Sequence, residues 1–211
     1  SVERQEPQNF VLKDGSTVRL SYSYGAQRGP NPNLDQASFI ESVGASGGID
    51  SVEMQQFVFS YGKVSKALKT VATIHPVPMG FIIDGNFAWQ PYSQVRSMAG
   101  LYSVLTYRKS MPIEYPWKKE IRSQVRVEAY ANGHDKLHTK NSIIRYRDAS
   151  GHKRVRIYTG SLNLSSNGAA NKEVSFQIDA ESHELADLIE EQRQVLEASS
   201  DVQPVAEGAL L

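Results

Sequence analysis

The spacing of apolar residues divides the first part of the chain into alternating strands and helices. Thr17–Tyr24 alternates polar and apolar side chains and runs into a stretch rich in Gly, Pro and Asn, which predicts a strand and then a loop. Leu34–Val43 and Lys63–Thr73 carry apolar residues at helical spacing and predict two helices. Val52–Ser60 and Val77–Asp84 predict strands, and the second of them ends in an acid.

The strand, helix and strand between residues 52 and 84 form a βαβ unit, which predicts a right-handed crossover and a parallel pair. Farther along, the pattern predicts a helix over 93–105, a strand over 125–129, a hairpin of 141–147 with 153–158, a strand over 174–178 and a helix over 182–198. We therefore expect an α/β fold with a mixed, largely parallel sheet flanked by helices on both faces. A single domain is expected over residues 1–198, followed by a flexible tail over residues 199–211.

Composition indicates a globular chain whose charge is balanced as a whole but unevenly placed. The 211 residues are 40% hydrophobic and 22% charged, which is enough apolar material for a substantial core. Residues 108–156 hold thirteen Lys and Arg against five acids, whereas residues 173–211 hold ten acids and one Arg. Either the basic middle meets an anion, or the two parts neutralise each other on a solvated surface.

The residue types that are missing limit the chemistry and leave the location open. The sequence contains no cysteine, so disulfides and thiolate metal sites are excluded. No apolar run approaches the roughly 20 residues that span a bilayer. The chain starts at Ser1 rather than Met, which is compatible with removal of a leader, so a secreted or periplasmic location is an expectation.

Three of the five histidines, His134, His138 and His152, lie in a short span. One interpretation is a zinc site, but Lys136 and Lys140 beside the histidines oppose a dication, so we expect neither a metal nor another cofactor. In an extended segment, His138 and Lys140 point to the same face. A neutral imidazole there can attack phosphorus while the lysine ammonium holds a phosphate oxygen.

The predicted strand that ends near residue 158 leads into a second group of phosphate donors. Ser161 and Asn163 share a face and offer a hydroxyl and an amide to phosphate oxygens, and Gly160 allows close approach of the backbone. Residues 163–167 are similar to the start of a helix, whose N-terminus favours an anion. A lone histidine is usually a surface residue and such a run is usually a turn, but their joint occurrence in this order favours an active site.

The run 138–140 (His-Thr-Lys), the run 160–163 (Gly-Ser-Leu-Asn) and Glu173 together resemble the signature of the phospholipase D superfamily. The resemblance covers roughly residues 50 to 180 and includes the βαβ unit. It implies a phospholipase D-like fold and a metal-independent phosphodiesterase that works through a covalent phosphohistidine.

The same resemblance implies a role for each site residue. His138 is the nucleophile or its partner acid, Lys140 and Asn163 bind the phosphate, and Ser161 assists with Gly160 beside it. Glu173 accepts a hydrogen bond from a catalytic imidazole and fixes its tautomer.

Two features of the sequence depart from the family's pattern. The family usually has Asp five residues after the Lys, where this chain has Arg145, and Asp148 lies at a hairpin tip outside the expected site. The run 134–136 (His-Asp-Lys) is a second His-x-Lys, so His134 and Lys136 are the alternative to His138 and Lys140. We favour His138 because Leu137 precedes it and an apolar strand follows.

The family's mechanism uses two histidines, whereas this chain has one full motif. We expect a homodimer with one histidine from each subunit, or else one half of a larger two-motif protein. The expected partner is a phosphodiester substrate, with a slight preference for nucleic acid over phospholipid because of the basic middle. A phospholipase with an apolar rim over residues 81–107 and a non-catalytic phosphate-binding scaffold are the alternatives.

Overall fold

The structure, a computed structural model, describes residues 6–24, 31–104, 113–131, 135–165, 167–168, 171–181, 184–198 and 201–205. Within these ranges the helices are α1 (Pro32–Ala45), α2 (Gly62–Ile74), α3 (Gly85–Ala88), α4 (Val95–Ala99), α5 (Lys119–Arg122) and α6 (Glu184–Glu197). The strands are β1 (Gln8–Val11), β2 (Thr17–Tyr24), β3 (Ile49–Gln56), β4 (Met79–Asp84), β5 (Ser103–Val104), β6 (Ile113–Glu114), β7 (Val125–Tyr130), β8 (Lys140–Arg147), β9 (Lys153–Gly160), β10 (Lys172–Ala180) and β11 (Val202–Pro204). None of the helices described is long and apolar enough to cross a membrane.

A nine-stranded sheet in the order β1-β2-β10-β9-β8-β3-β4-β7-β11 organises the fold, and β5 and β6 form a separate pair. The predicted βαβ unit is confirmed, because β3 precedes α2 in the chain, β4 follows it, and the two strands pair in parallel. The expectation of a largely parallel sheet is wrong. Two neighbouring pairs, β3–β4 and β4–β7, are parallel, and the other six are antiparallel. The sheet is therefore mixed, since the hairpin β8–β9 and strand β10 extend it through antiparallel ladders.

The two faces of the large sheet carry separate apolar layers, and helices cover both. Ile144 of β8 belongs to the larger buried cluster, together with Ile40 of α1 and Leu68 of α2. Its neighbour Ile143 points to the opposite face and packs in a smaller cluster with Ala186 of α6. The expected arrangement of helices on both faces is therefore confirmed.

Two predicted elements end earlier than expected. The strand predicted over 52–60 is β3, which ends at Gln56 because its neighbour β8 begins opposite, at Lys140. The helix predicted over 93–105 is shortened to α4, because Gly100 adopts a left-handed conformation with φ of 96° and ends it.

The chain after residue 198 is not wholly a tail. Residues 202–204 form β11, which pairs with the exposed edge of β7, and Val205 is buried. Three residues are too short for periodicity to reveal a strand. The helix α6 before it confirms the helix predicted over 182–198, of which residues 182 and 183 lie outside the described residues.

The uneven charge is partly neutralised within the fold. Acids from the C-terminal part pair with arginines of the basic middle, so the structure favours the second of the two interpretations of the charge pattern. The ion pairs are Arg126–Glu197 (2.6 Å), Arg145–Asp187 (3.0 Å), Arg154–Glu181 (3.1 Å), and Asp179 with both Arg154 and Arg156.

Glu53 of β3 lies beneath α6, over Gly80 of the neighbouring strand. Burial, and secondarily the negative charge of Glu190, raise its pKa to about 7. An acid whose pKa is raised by folding costs stability once the pH exceeds its unfolded pKa, and the full cost is reached above the folded pKa. The fold therefore loses stability as the pH rises through the range from about 4.5 to 7.

We expect Glu53→Gln to raise the free energy of unfolding at pH 8 by about 2 kcal/mol, since one pKa unit is worth about 1.4 kcal/mol and relaxation removes part of the effect. At pH 4 the variant and the parent should be equally stable, because both then carry a neutral side chain. Urea unfolding at the two pH values measures this difference, with Glu41→Gln on the exposed face of α1 as the control. Equal stability of Glu53→Gln and its parent at pH 8 would contradict the role of burial.

Candidate active site

The residues of the predicted site come from strand ends that meet at one edge of the large sheet. In the order of the strands across the sheet, β10 begins, β9 ends, β8 begins, and β3 and β4 end at this edge. Antiparallel neighbours alternate in direction, so the start of one strand lies beside the end of the next. This arrangement brings together Glu173, the run 160–163, Lys140 and the segment that carries His138.

His138 and Lys140 are in direct contact. The Lys140 ammonium Nζ lies 3.3 Å from His138 Nε2 and donates to the carbonyl oxygen of His138 over 2.8 Å. His138 itself is exposed, whereas Lys140 is 6% exposed. An ammonium donates hydrogen bonds, so a hydrogen bond in this contact has Nε2 as the acceptor, which corresponds to the tautomer with its proton on Nδ1. Nε2 therefore lies beside the cation that would bind a phosphate.

Lys140 is enclosed by polar side chains from α1 and β3. A small cavity borders it together with Asn33, Gln36 and Gln56. Burial lowers the pKa of Lys140, and the nearby carboxylate of Glu173 offsets part of this effect. The ammonium is therefore partly stripped of water before substrate binds, which strengthens its attraction for a phosphate oxygen.

Ser161 and Glu173 form the second half of the site. The Ser161 hydroxyl Oγ donates to Glu173 Oε2 over 2.5 Å, and it accepts a hydrogen bond of 3.0 Å from the backbone N–H of Val174. The backbone of Glu173 is held in turn, because its N–H donates to Ser23 Oγ over 3.1 Å. In this arrangement the carboxylate accepts from Ser161, and the expected hydrogen bond from an imidazole to Glu173 stays a prediction.

Gly160 is required by the backbone at the end of β9. Its φ is 132°, and a Cβ at this position would lie 2.3 Å from the carbonyl oxygen of Val174. Any other residue would therefore push β9 away from β10 at the point where Ser161 meets Glu173. The close approach that Gly160 permits is to the neighbouring strand.

Asn163 lies in a loop that α1 holds in place. Asn33 Nδ2 donates to the carbonyl oxygens of Asn163 and Ser165 over 3.0 and 3.2 Å. The Asn163 side-chain oxygen Oδ1 is buried and has no hydrogen-bond partner among the described residues. Residues 163–165 and 167 are not helical, because the carbonyls of Asn163 and Ser165 bond to Asn33 and to turns, and helical structure is described first at Gly168, as a 3₁₀ turn.

Three positions bear on the departures from the family's pattern. Arg145 forms an ion pair with Asp187 on α6. Asp148 accepts from the backbone N–H groups of Ser150 and His152 at the opposite end of the hairpin, which agrees with its exclusion from the site. The alternative nucleophile His134 lies outside the described residues, so the choice between His134 and His138 stays a prediction.

The sequence did not reveal that an aromatic ring, itself in contact with a second ring, packs against His138. The ring of Phe57 lies with its centroid 4.6 Å from that of His138 and 4.6 Å from that of Phe87, edge to face in both cases. Phe57 follows β3, and its backbone N–H donates to the carbonyl oxygen of Thr139 over 2.8 Å. The rings restrict the orientation of the imidazole. The signal in the sequence was an aromatic residue just after a predicted strand, which is too common to interpret alone.

Asp84 is the second residue that sequence reasoning did not assign to the site. This fully buried carboxylate accepts from the backbone N–H of Leu137 through Oδ2 over 2.9 Å, and from Asn86 through Oδ1 over 3.0 Å. It therefore fixes the segment that immediately precedes His138. The sequence shows that β4 ends in an acid, but the hydrogen-bond partner of this acid, Leu137, is 53 residues away along the chain.

We expect Asp84→Asn to lower kcat about 10- to 100-fold with little change in KM, because a small displacement of a catalytic group is costly. An amide can replace only one of the two acceptor oxygens. Steady-state kinetics of a chromogenic phosphodiester measure kcat and KM separately, and thermal unfolding tests whether the variant is folded. Asp135→Asn, an exposed change beside the same segment, is the matched control. An unchanged kcat in the folded variant would show that Asp84 has no positioning role.

Comparison with known proteins finds similarity in structure alone. No family model and no curated protein matches the sequence. Nuc from Salmonella typhimurium, a phospholipase D family member, superposes with a TM-score of 0.54 and 16% identity over 91% of this chain and 99% of that one. NucT from Helicobacter pylori gives 0.52 and 20% over 84% and 96%. Phosphatidylserine synthase from Haemophilus influenzae Rd KW20 gives 0.51 and 14% over 92% and 41%.

Proposed function

We infer that the chain is a phosphodiesterase, because it has the phospholipase D-like fold and its one sheet edge combines an exposed imidazole with a buried ammonium. The contact between Lys140 Nζ and His138 Nε2 carries the proposal. It pairs a nucleophilic nitrogen with a cation that can hold the phosphate under attack. The similar structures support this inference through their fold, and the residues of this chain supply the chemistry.

The proposed reaction proceeds in two displacements at phosphorus. The lone pair of His138 Nε2 attacks phosphorus, the bond to the leaving oxygen breaks, and that oxygen takes a proton from a second, protonated imidazole. Water then attacks the phosphohistidine and gives its proton to the second imidazole, and the N–P bond breaks. Lys140 and the amide of Asn163 hold the non-bridging oxygens in both steps. These steps need no metal ion.

The second imidazole is proposed to come from another copy of the chain. The sequence contains one full motif, and His75 is followed by Pro76 and Val77 rather than by a lysine at the required spacing. Exposure of His138 allows two copies to meet across a two-fold axis, with His138 of the partner subunit as the acid. One half of a longer two-motif protein is the alternative source.

The class of activity is tested with bis(p-nitrophenyl) phosphate, single-stranded DNA, RNA and phosphatidylcholine, each in the presence of a chelator. We expect hydrolysis that the chelator leaves intact. Rapid quenching with labelled substrate should trap phosphate on the protein in an acid-labile, alkali-stable bond. Loss of all hydrolysis in chelator would contradict the metal-free mechanism. Binding of phosphodiesters with no turnover would favour the non-catalytic scaffold instead.

The shared site predicts a quadratic dependence in subunit mixing. When the parent chain is co-refolded with a His138→Ala chain, only dimers of two parent chains should be active. A mixture of equal parts should then retain about a quarter of the activity, since dimers assort at random. Independent active sites would retain half. Sedimentation of the same mixtures reports the oligomeric state, and an active monomer would refute the shared site.

The preference for nucleic acid over lipid is part of this proposal, and it cannot rest on the paired arginines of the basic middle. Four of them, Arg126, Arg145, Arg154 and Arg156, are engaged in ion pairs with C-terminal acids. The apolar rim proposed for a lipid substrate is also incomplete, because Met98 is buried in the core. Among the described residues of the proposed rim, 81–107, only Phe87 is in ring contact with Phe57, the residue whose ring contacts His138. Support for nucleic acid must come from another surface.

A further inference from the structure

A groove of about 850 Å³ runs along α2 on the side that faces residues 113–115. Its walls combine cations with apolar and aromatic side chains, which are Tyr61, Lys63, Lys66, Lys69, Ile113 and Tyr115. The three lysines recur every third residue of one helix, so they follow one another along one wall over about 9 Å. None of them takes part in the ion pairs found in the described part of the chain.

The groove begins beside the proposed active site. Tyr61 immediately precedes α2, and its backbone N–H donates to the carbonyl oxygen of Leu164 over 3.1 Å. Leu164 follows Asn163, one of the proposed phosphate ligands. α2 therefore begins at the edge of the sheet where β3 ends and where the proposed site lies.

The opposite wall offers an exposed ring, because Tyr115 is 67% exposed. Tyr102, which is 61% exposed and lies outside the lining, contacts it edge to face with the centroids 5.7 Å apart. Large exposed aromatic side chains beside a row of cations are typical of surfaces that bind single-stranded nucleic acids, where bases stack on rings and phosphates meet lysines. The described lining contains one acid, Glu114, which lies near Lys69.

We propose that this groove binds the single-stranded nucleic acid whose phosphodiester is cut at His138, an inference that rests on the proposed function. The three lysines spread along the groove fit a polyanion, whereas a phospholipid presents a single charged headgroup. The groove adds a binding surface apart from the paired arginines of the basic middle. It thereby identifies a strand longer than a dinucleotide as the substrate class.

Binding is measured by fluorescence anisotropy with labelled dT20 in a His138→Ala background, so that no cleavage occurs. Lys63→Ala with Lys66→Ala removes two exposed lysines from the groove, and alanine preserves the helix. Each lost phosphate contact lowers the salt dependence of log K by about 0.7, so two contacts are worth about twentyfold in Kd at 0.1 M salt. Tyr115→Ala should weaken binding about fivefold by loss of stacking.

The control pair is Lys13→Ala with Lys153→Ala, which removes the same charge from two exposed lysines away from the groove. It should leave the Kd for dT20 within about twofold of the parent, because distant charges are screened by salt. With His138 intact, the groove variant should hydrolyse bis(p-nitrophenyl) phosphate at the rate of the parent, since this small substrate does not reach the groove.

The inference is overturned if the groove variant and the control bind dT20 equally well. It is also overturned if the groove variant loses binding to vesicles of phosphatidylglycerol and phosphatidylcholine while its Kd for dT20 is unchanged, which would indicate a lipid groove. Failure of the parent to hydrolyse any phosphodiester would contradict the proposed function alone, because the anisotropy experiment does not depend on turnover.

Discussion

Replacement of His138 by alanine is expected to lower phosphodiester hydrolysis by about 10⁴-fold or more, because loss of a covalent nucleophile removes the reaction path itself. In a shared site the same change also removes the acid that protonates the leaving oxygen, so the effect is larger than for either role alone. The trapped phosphoprotein should disappear together with the activity. Because the imidazole is exposed, the variant should unfold within a few degrees of the parent's temperature, despite the loss of its contact with Phe57.

The matched control is His152→Ala, which deletes another exposed imidazole at the far end of the β8–β9 hairpin. Its activity should equal that of the parent. Undiminished hydrolysis in the His138→Ala variant would contradict the proposed nucleophile and would direct the same experiment to His134. Partial rescue of His138→Ala by added imidazole would support a role in chemistry rather than in folding.

Lys140→Ala is expected to lower kcat about 10³-fold, the cost of removing one pre-organised charge from a site that stabilises developing negative charge. Arginine should not restore the activity, because its larger planar group does not fit the enclosed position that the ammonium occupies. The matched control is Lys136→Ala, whose exposed side chain belongs to the other His-x-Lys run. A large loss in Lys136→Ala with full activity in Lys140→Ala would reverse the assignment of the motif.

The pH profile provides a second test of Lys140. Burial lowers its pKa, so the ammonium loses its proton at a lower pH than an ordinary lysine. The alkaline limb of kcat/KM should therefore begin below the usual lysine range. In Glu173→Gln this limb should move to still lower pH, because the carboxylate that favours the charged ammonium is gone. A profile that is the same in both proteins would show that Lys140 does not set the limb.

Local sequence predicted the elements whose pattern is strong. The strand Thr17–Tyr24 is predicted with its observed bounds, and the hairpin is predicted from its turn residues 148–151, where the structure has Gly151 in a left-handed conformation with φ of 83°. The pairing of strands was not predictable in the same way. The insertion of β8 beside β3 depends on a ladder between Gln56 and Lys140, which the alternation of neither strand reveals.

The residues of the candidate site differ in the same way in how well the sequence predicts them. His138, Lys140 and Ser161 lie in short motifs, and a motif can be recognised from neighbouring letters. Phe57 and Asp84 act through contacts with residues 138 and 137 that only the folded sheet creates. Their side chains carry no local signature, since an aromatic or an acid at a strand end is ordinary. Residues that support a site are therefore harder to predict from the sequence than the residues of its motifs.

The three-residue strand β11 has a consequence for handling this protein. It occupies the outer edge of β7, whose backbone groups would otherwise be open to pairing with another chain. A chain shortened to end at residue 200 would leave β7 as an unpaired edge strand. Such molecules would be prone to aggregate by pairing their β7 edges. Material made without Val202–Pro204 would then form aggregates that sedimentation must distinguish from the proposed dimer.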